Sequence, residues 1–168
     1  KRGAQALLKF CSDSEENAVR FVVQHGMSAF RNLLWAERNS LRVIIAKTMT
    51  AIGQEAAAAD LMIKEQGAPS LLVDLCRDVH DKTCIAGLQA LSAFLDHDDC
   101  VKVLVDANVT AVLHTLTTMR KGKVQMYAQM AEAKLNDKQA AQHMDVASRL
   151  RSAAMLDDDE DEDEDELA

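Results

Sequence analysis

Apolar residues recur along this chain at steps of three and four, the spacing that places them on one face of an α-helix. Ile85, Leu88, Leu91 and Leu95 are a clear example. The pattern also repeats as a whole every 41 residues. The period aligns Gly26, Gly67 and Asn108, and glycine and asparagine are the residues that most readily adopt the left-handed conformation that closes a helix. The chain is therefore predicted to be an array of helical repeats.

Further columns keep the same register. The large positions include the identical set Leu34, Leu75 and Leu116, and a column of small residues comprises Ala46, Gly87 and Ala128. A small residue inside an apolar helix predicts a point where neighbouring backbones approach closely. Acceptors suited to a helix N-terminus recur at 41 residues as well: Ser14, Glu55, Asp96 and Asp137.

Each repeat is expected to contain three helices. In the second unit these run from about Glu55 to Gln66, from Ala68 to Cys76, and from Asp81 to Leu95. Pro69 falls in the first turn of the middle helix, where its missing N–H costs nothing. No single unit could bury its apolar face alone, so the units are expected to stack on one another.

These features divide the chain into three parts. Residues 1–136 hold a partial unit at 3–11 and full units at about 14–51, 55–95 and 96–135. Residues 137–156 are expected to be a capping helix that runs on towards Met155, because Arg149 replaces the helix-closing Gly or Asn. Residues 157–168 form an acidic tail, predicted to be disordered. The abrupt apolar start after Lys1 suggests that the array continues upstream.

Composition and charge agree with an all-α protein. Of 168 residues, 48% are hydrophobic but only 4% are aromatic, which argues against a β-sandwich or barrel. The formal charge of −8 arises from one run of ten acidic residues, and elsewhere basic and acidic residues are nearly balanced. The run comprises Asp157, Asp158, Asp159, Glu160, Asp161, Glu162, Asp163, Glu164, Asp165 and Glu166.

The cysteines and apolar segments indicate a compartment. Cys11, Cys76, Cys84 and Cys100 form no CxxC pair and lie in apolar helical stretches, which favours buried free thiols over a disulfide framework. No signal peptide is apparent, and no apolar run reaches the ~20 residues that a membrane helix needs. We expect a protein of the cytoplasm or the nucleus that does not contact a membrane.

The repeat resembles the armadillo repeat in its length and its three helices. The segments 65–72 (EQGAPSLL) and 87–92 (GLQALS) are similar to that family's signatures at the two helix junctions. The resemblance covers roughly residues 3–135, and HEAT repeats with two helices per unit are the nearest competitor. It implies a right-handed α-α superhelix whose third helices line a concave groove that binds an extended segment of another protein.

One armadillo subfamily, the nuclear-import adaptors, carries Trp and Asn ladders on the third helices. None of the six matching positions here is Trp or Asn, which disfavours the import-receptor function; they are Thr48, Ile52, Gln89, Ala93, Met130 and Lys134. The residues expected to line the groove are Arg38, Arg42, Thr48, Lys82, Gln89, Lys123 and Tyr127. Lys82 and Lys123, one repeat apart, would form a basic strip that attracts acidic peptides. These residues are alternatively no more than the solvated face of the helices.

The acidic tail and the methionines leave alternatives open. The tail either keeps the chain soluble, binds basic proteins such as histones or ribosomal proteins, or folds back onto the basic strip. The second role would make the chain a chaperone or carrier for basic proteins. Five of the eight methionines lie in the last third, where core filling is favoured over a binding surface; they are Met119, Met126, Met130, Met144 and Met155.

Catalytic, cofactor and metal-binding signals are weak. His97, Asp98, Asp99 and Cys100 fall on a turn into a new helix, where aspartate is an ordinary capping residue, so no metal site is predicted. There is no phosphate-binding Gly-rich loop, GxSxG or HExxH motif. The basic turn around Lys121 is too short to suggest nucleic acid. The sequence therefore predicts a binding scaffold or adaptor without enzymatic activity or cofactors.

Overall fold

The computed structural model describes residues 2–34 and 38–157, with side chains up to 149, and these residues are helical throughout except for short turns. No strand occurs in these ranges, so the all-α prediction is confirmed. The helices are α1 (Arg2–Asp13), α2 (Glu15–Gln24), α3 (Gly26–Leu34), α4 (Asn39–Gln54), α5 (Ala56–Lys64), α6 (Ala68–Cys76), α7 (Asp81–Phe94), α8 (Asp98–Asp106), α9 (Val109–Met119) and α10 (Gly122–Asp157).

The three-helix unit predicted from the 41-residue period is present. Helices α5, α6 and α7 match the predicted second unit to within two residues at every end, and Pro69 lies in the first turn of α6. Helices of the same kind lie against one another in chain order. The third helices pack as α1 on α4, α4 on α7 and α7 on α10, while the first helices pack as α2 on α5 and α5 on α8. One apolar core runs through all of them, from Cys11 to Leu135.

The turns between first and second helices have the predicted left-handed backbone. Gly26, Gly67 and Asn108 have φ values of 43°, 92° and 65°. A fourth such residue, Gly122 with φ 65°, begins α10 and was not singled out by the repeat. A left-handed residue reverses the chain direction within one residue, which lets the second helix fold back against the first.

The small-residue column is confirmed as a point of close approach. Ala46, Gly87 and Ala128 are buried, and a Cβ atom added to Gly87 would lie 2.7 Å from the backbone carbonyl carbon of Leu75. The close contact therefore joins α7 to α6 within one unit. A larger residue at this position would push the two helices apart.

The expected helix boundary near Asp137 is absent. α10 is one continuous helix of 36 residues, so the predicted cap at 137–156 is its C-terminal half rather than a separate element. The prediction that no residue stops the helix at Arg149 is confirmed, and Asp157, assigned to the tail, is its last residue. The core-facing positions of α10 end at Leu135, and residues 143–149 are exposed. The remaining tail, 158–168, and residues 35–37 lie outside the described residues.

Candidate functional site

An open groove crosses the third helices α4, α7 and α10 near their middle. Its volume is about 420 Å³. It is lined by Thr50, Gln54, Gln89, Ser92, Ala93, Asp96, Tyr127, Met130 and Lys134. Gln89 and Tyr127 were expected here from the sequence. The groove is therefore a surface shared by three successive repeats.

Gln89 and Tyr127 bridge two repeats at the floor of this groove. The Nε2 group of Gln89 lies 3.4 Å from the hydroxyl oxygen of Tyr127 and donates a long hydrogen bond to it. Gln89 is exposed and Tyr127 half-buried. An amide and a phenol retain unused donors and acceptors in this arrangement, which are the groups that pair with a peptide backbone.

Lys134 closes one end of the groove with its charge already paired. Its Nζ atom lies 2.6 Å from Oδ1 of Asp96 and donates to the carbonyl oxygen of Ser92 at 2.8 Å. Both partners belong to the preceding repeat. The ammonium group therefore fastens α10 to the end of α7 and contributes little net charge to the groove.

The two lysines of the expected basic strip lie at the N-terminal ends of these helices. Lys82 and Lys123 are the second residues of α7 and α10, and both are exposed. Gln89 follows Lys82 by two helical turns, so it shares the same helix face about 10 Å further along. The lysines thus occupy one edge of the face that carries the groove, but they do not line the groove itself.

Arg42 was expected to line the groove and does not. Its Nε atom donates to Oδ2 of Asp78 at 2.6 Å, and it lines a separate cavity of about 470 Å³ beside Asn39 and His80. Arg38 precedes α4 and is exposed at the same end of the molecule. Sequence spacing alone did not reveal this pairing, because Asp78 lies in a turn that the repeat pattern does not mark.

Thr48 is a second correction, since it is fully buried. Its exposed fraction is 0%, and its hydroxyl donates to the carbonyl oxygen of Ile44 at 2.9 Å within α4. α4 has a third helix on each side, α1 and α7, so more of its surface is covered than at the end of the array. Thr48 is therefore not available to a ligand.

The methionines of the last third correct another expectation. Those whose side chains are described are exposed instead of filling the core: Met119, Met126, Met130 and Met144. The fully or nearly fully buried methionines are Met27, Met49 and Met62, in the first two units. Met155 lies beyond the described side chains. Met130, at a position matching the armadillo ladder, is the exposed apolar residue of the groove.

Other residues of the groove carried weaker sequence signals. Lys134 also occupies a ladder position of the family, so the column through Ala93 could have pointed to it. Thr50, Gln54 and Ser92 have no such signal. They enter the groove through the way that the three helices are offset from one another.

The four cysteines are buried and unpaired, as predicted. Burial raises the pKa of Cys11 and of Cys100 to about 11 and raises that of Cys76 further. The Sγ atom of Cys84 donates to the carbonyl oxygen of Cys76 at 2.9 Å, and burial raises its pKa too. A thiol held protonated inside the core is a poor nucleophile and a poor metal ligand.

The cluster from His97 to Cys100 is dispersed by the fold. His97 Nε2 lies 2.7 Å from the carbonyl oxygen of Gly53, Asp98 pairs with Lys138, and Cys100 is buried. Across residues 2–34 and 38–157, no group of three His, Cys, Asp or Glu side chains is placed to hold a metal ion. These residues serve as contacts between successive repeats.

None of the helices in the described ranges is by itself long and apolar enough to cross a membrane. Only α8 and α9 taken together meet that length and hydropathy, and they are bent by 77° where they join.

Comparison with known proteins gives a fold likeness and no family. No family model and no curated protein matches the chain. The crystal structure of an engineered protein from the Northeast Structural Genomics Consortium aligns with a TM-score of 0.70 at 23% sequence identity, over 80% of this chain. This chain spans 55% of the length of that protein. The likeness concerns the helical fold alone.

Proposed function

We propose that this chain is an armadillo-type, right-handed α-α superhelix that acts as a protein–protein interaction module. The three-helix unit, the 41-residue period and the stacking of like helices support this assignment. Stacked repeats of this kind provide extended concave surfaces, which suit binding better than catalysis. In this proposal the chain is a scaffold or adaptor that binds an extended segment of another protein.

The groove across α4, α7 and α10 is the observation that carries the proposal. Packed helices lie 8–10 Å apart, so a ligand that crosses three of them spans about 20 Å. An extended peptide covers that distance with about six residues at ~3.3 Å each. Gln89 and Tyr127 lie near the middle of this path and would bond to the peptide backbone.

The surroundings of the groove indicate the composition of such a segment. Met130 offers an exposed, flexible apolar side chain that adapts to different aliphatic residues. Lys82 and Lys123 lie at the N-terminal edge of the same helix face and would attract a carboxylate. The preferred ligand is a segment of about six extended residues with an aliphatic residue in the groove and acidic residues at one end.

Selection from a displayed library of random twelve-residue peptides on the purified full chain tests the proposal. Enriched peptides are expected to lose at least tenfold in affinity with Gln89→Ala or Tyr127→Ala. Gln24→Ala, an exposed glutamine on the first helix α2, is the matched control and should leave binding unchanged. Peptides that bind equally well to the groove variants and the control would place recognition outside the groove.

The carrier role through the acidic tail is the second candidate, and the length of α10 favours it over the tail folding back. α10 has 36 residues and is about 54 Å long, and Lys123 is its second residue. The ten acidic residues that begin at its far end span at most ~36 Å when fully extended. The run therefore cannot reach Lys123 of its own chain, and its charge is available to another molecule.

Removal of residues 158–168 separates the two candidates. Binding to a basic protein such as core histones, measured by fluorescence anisotropy at several salt concentrations, should fall at least tenfold for the truncated chain if the tail is the carrier. Binding of groove-selected peptides should stay unchanged. Histone binding that survives truncation would rule out the tail-carrier function.

A further inference from the structure

The outward face of α10 carries an apolar stripe that nothing within the described residues covers. Its members are exposed and follow one another at steps of four, three, seven and four residues: Met126, Met130, Ala133, Ala140 and Met144. The core-facing residues of the helix are on the opposite side: Val124, Ala128, Ala131 and Leu135. Met144 is 74% exposed and Met130 60%, which is unusual for apolar side chains.

The spacing of this stripe suits another helix. Steps of four and three give a repeat of 3.5 residues, the seam of a coiled coil. Alanine at the centre lets two helix backbones approach closely, and methionine at the ends fills the irregular space beside a partner. Asp137 occupies the one polar place on the stripe, between Ala133 and Ala140.

The stripe is self-complementary when one copy is reversed. If two α10 helices cross antiparallel about Leu135, Met126 of one copy meets Met144 of the other, and Met130 meets Ala140. The pattern of large ends and a small centre is thus its own counterpart, as a two-fold interface requires. A parallel pair would instead place two alanines together at the centre and leave the same methionines crowded at each end.

Charge selects the same direction. The chain has ten consecutive acidic residues from Asp157 onward, while Lys121 and Lys123 are exposed at the start of α10. A parallel pair would bring two acidic runs together. In the antiparallel pair, Asp157 of one copy lies about 12 Å beyond Lys121 of the other along the helix axis. An acidic run that cannot reach these lysines in its own chain reaches them in a second copy.

We infer that the chain forms an antiparallel dimer through α10, with Met126, Met130, Ala133, Ala140 and Met144 as the seam and with the acidic run of each copy on Lys121 and Lys123 of the other. The inference does not depend on peptide binding in the groove, although Met130 belongs to both surfaces. A seam of this length buries less than the ~800 Å² per partner of a standard interface, so the dimer dissociates at micromolar concentration.

Sedimentation velocity of the full chain from about 1 to 300 μM tests the dimer. Met144→Glu should raise the dissociation constant at least tenfold, whereas Met119→Glu, an equally exposed methionine on α9, should leave it unchanged. Asp137→Ala should tighten the dimer, because the two Asp137 carboxylates lie about 6 Å apart along the seam. A chain that stays monomeric throughout, or one equally sensitive to both glutamate variants, would overturn the inference.

Disulfide cross-linking tests the direction. The native cysteines are buried and do not compete. A mixture of Met126→Cys and Met144→Cys chains should form the mixed disulfide dimer under mild oxidation, and each variant alone should not. Efficient cross-linking of Met144→Cys with itself would show a parallel pair and contradict the assignment. Circular dichroism of each variant checks that the helix content is unchanged.

Discussion

Arg42 and Asp78 join two successive repeats through a hydrogen-bonded ion pair, with Arg42 Nε 2.6 Å from Asp78 Oδ2. Only 7% of the Asp78 side chain is exposed, and its Oδ1 atom also accepts the backbone N–H of His80 at 2.9 Å. Burial works to raise the pKa of Asp78, but the hydrogen bonds from the His80 amide, the Arg42 guanidinium and the His80 ring outweigh it and hold the pKa below its ordinary value.

Replacement of Asp78 by alanine is expected to destabilise the chain by about 1–3 kcal/mol, because it leaves Arg42 and the His80 amide without their acceptor. Urea denaturation followed by circular dichroism measures the change. Asp74→Ala, an exposed aspartate at the end of the same helix α6, is the control and should change the free energy of unfolding by less than ~0.5 kcal/mol. Equal losses for both variants would contradict the structural role of Asp78.

The pH dependence of stability follows from the lowered pKa of Asp78. A carboxyl group whose pKa is lower in the folded chain stabilises it at neutral pH, and this contribution is lost as the pH falls below about 4 and through the folded-state pKa. The difference in free energy of unfolding between the native chain and Asp78→Asn should therefore shrink from pH 7 to pH 3. A difference that grows on acidification would give the shift the opposite sign.

Gly87 should not tolerate a methyl group. A Cβ atom would lie 2.7 Å from the carbonyl carbon of Leu75 and 2.8 Å from the amide nitrogen of Cys76, both of them backbone atoms that cannot rotate away. We expect Gly87→Ala to lower the free energy of unfolding by about 1–3 kcal/mol. Gly3→Ala, in α1 with open space around it, should be neutral or stabilising by up to ~1 kcal/mol, since alanine favours helix.

Asn108 should be replaceable by glycine but not by alanine. Its φ of 65° is left-handed, a conformation that costs an ordinary L-residue about 1 kcal/mol and glycine almost nothing. Thermal unfolding should therefore rank Asn108→Gly near the native chain and Asn108→Ala below it. At Asn136, exposed and helical within α10, alanine should instead stabilise. The opposite ranking at Asn108 would argue against a left-handed turn there.

The four thiols should be protected in the folded chain. Burial raises their pKa values, so little thiolate exists at pH 8 and the sulfur atoms lie inside the core. A chromogenic disulfide reagent is expected to react with none of them within minutes under native conditions and with all four in concentrated guanidinium. Rapid native reaction of Cys76 would contradict its place in the core.

The local elements could be predicted because they depend on short-range chemistry. A helix needs apolar residues at steps of three and four, and Gly67 or Asn108 ends one by its own backbone preference. The period of 41 residues then predicted which helices are equivalent. Gly87 was recognised as a close contact because a single missing side chain interrupts an otherwise large apolar column.

The site could be predicted only in part. Gln89 and Tyr127 were recognised because solvent-facing polar residues on third helices recur with the period. Thr48 was misplaced because the same column is buried where α1 and α7 flank a helix and exposed where the array ends. Periodicity treats the repeats as identical, whereas burial depends on how many neighbours a repeat has.

The sequence by itself determined the helices, their turns and their order, because these follow from propensities and spacings within about ten residues. Only the tertiary structure decided which polar residues remain available. Arg42 is held by Asp78 and Lys134 by Asp96, both through contacts between repeats that no local pattern encodes. It also decided that α10 continues through Asp137 and exposes its methionines, since burial is a property of the whole stack and not of one segment.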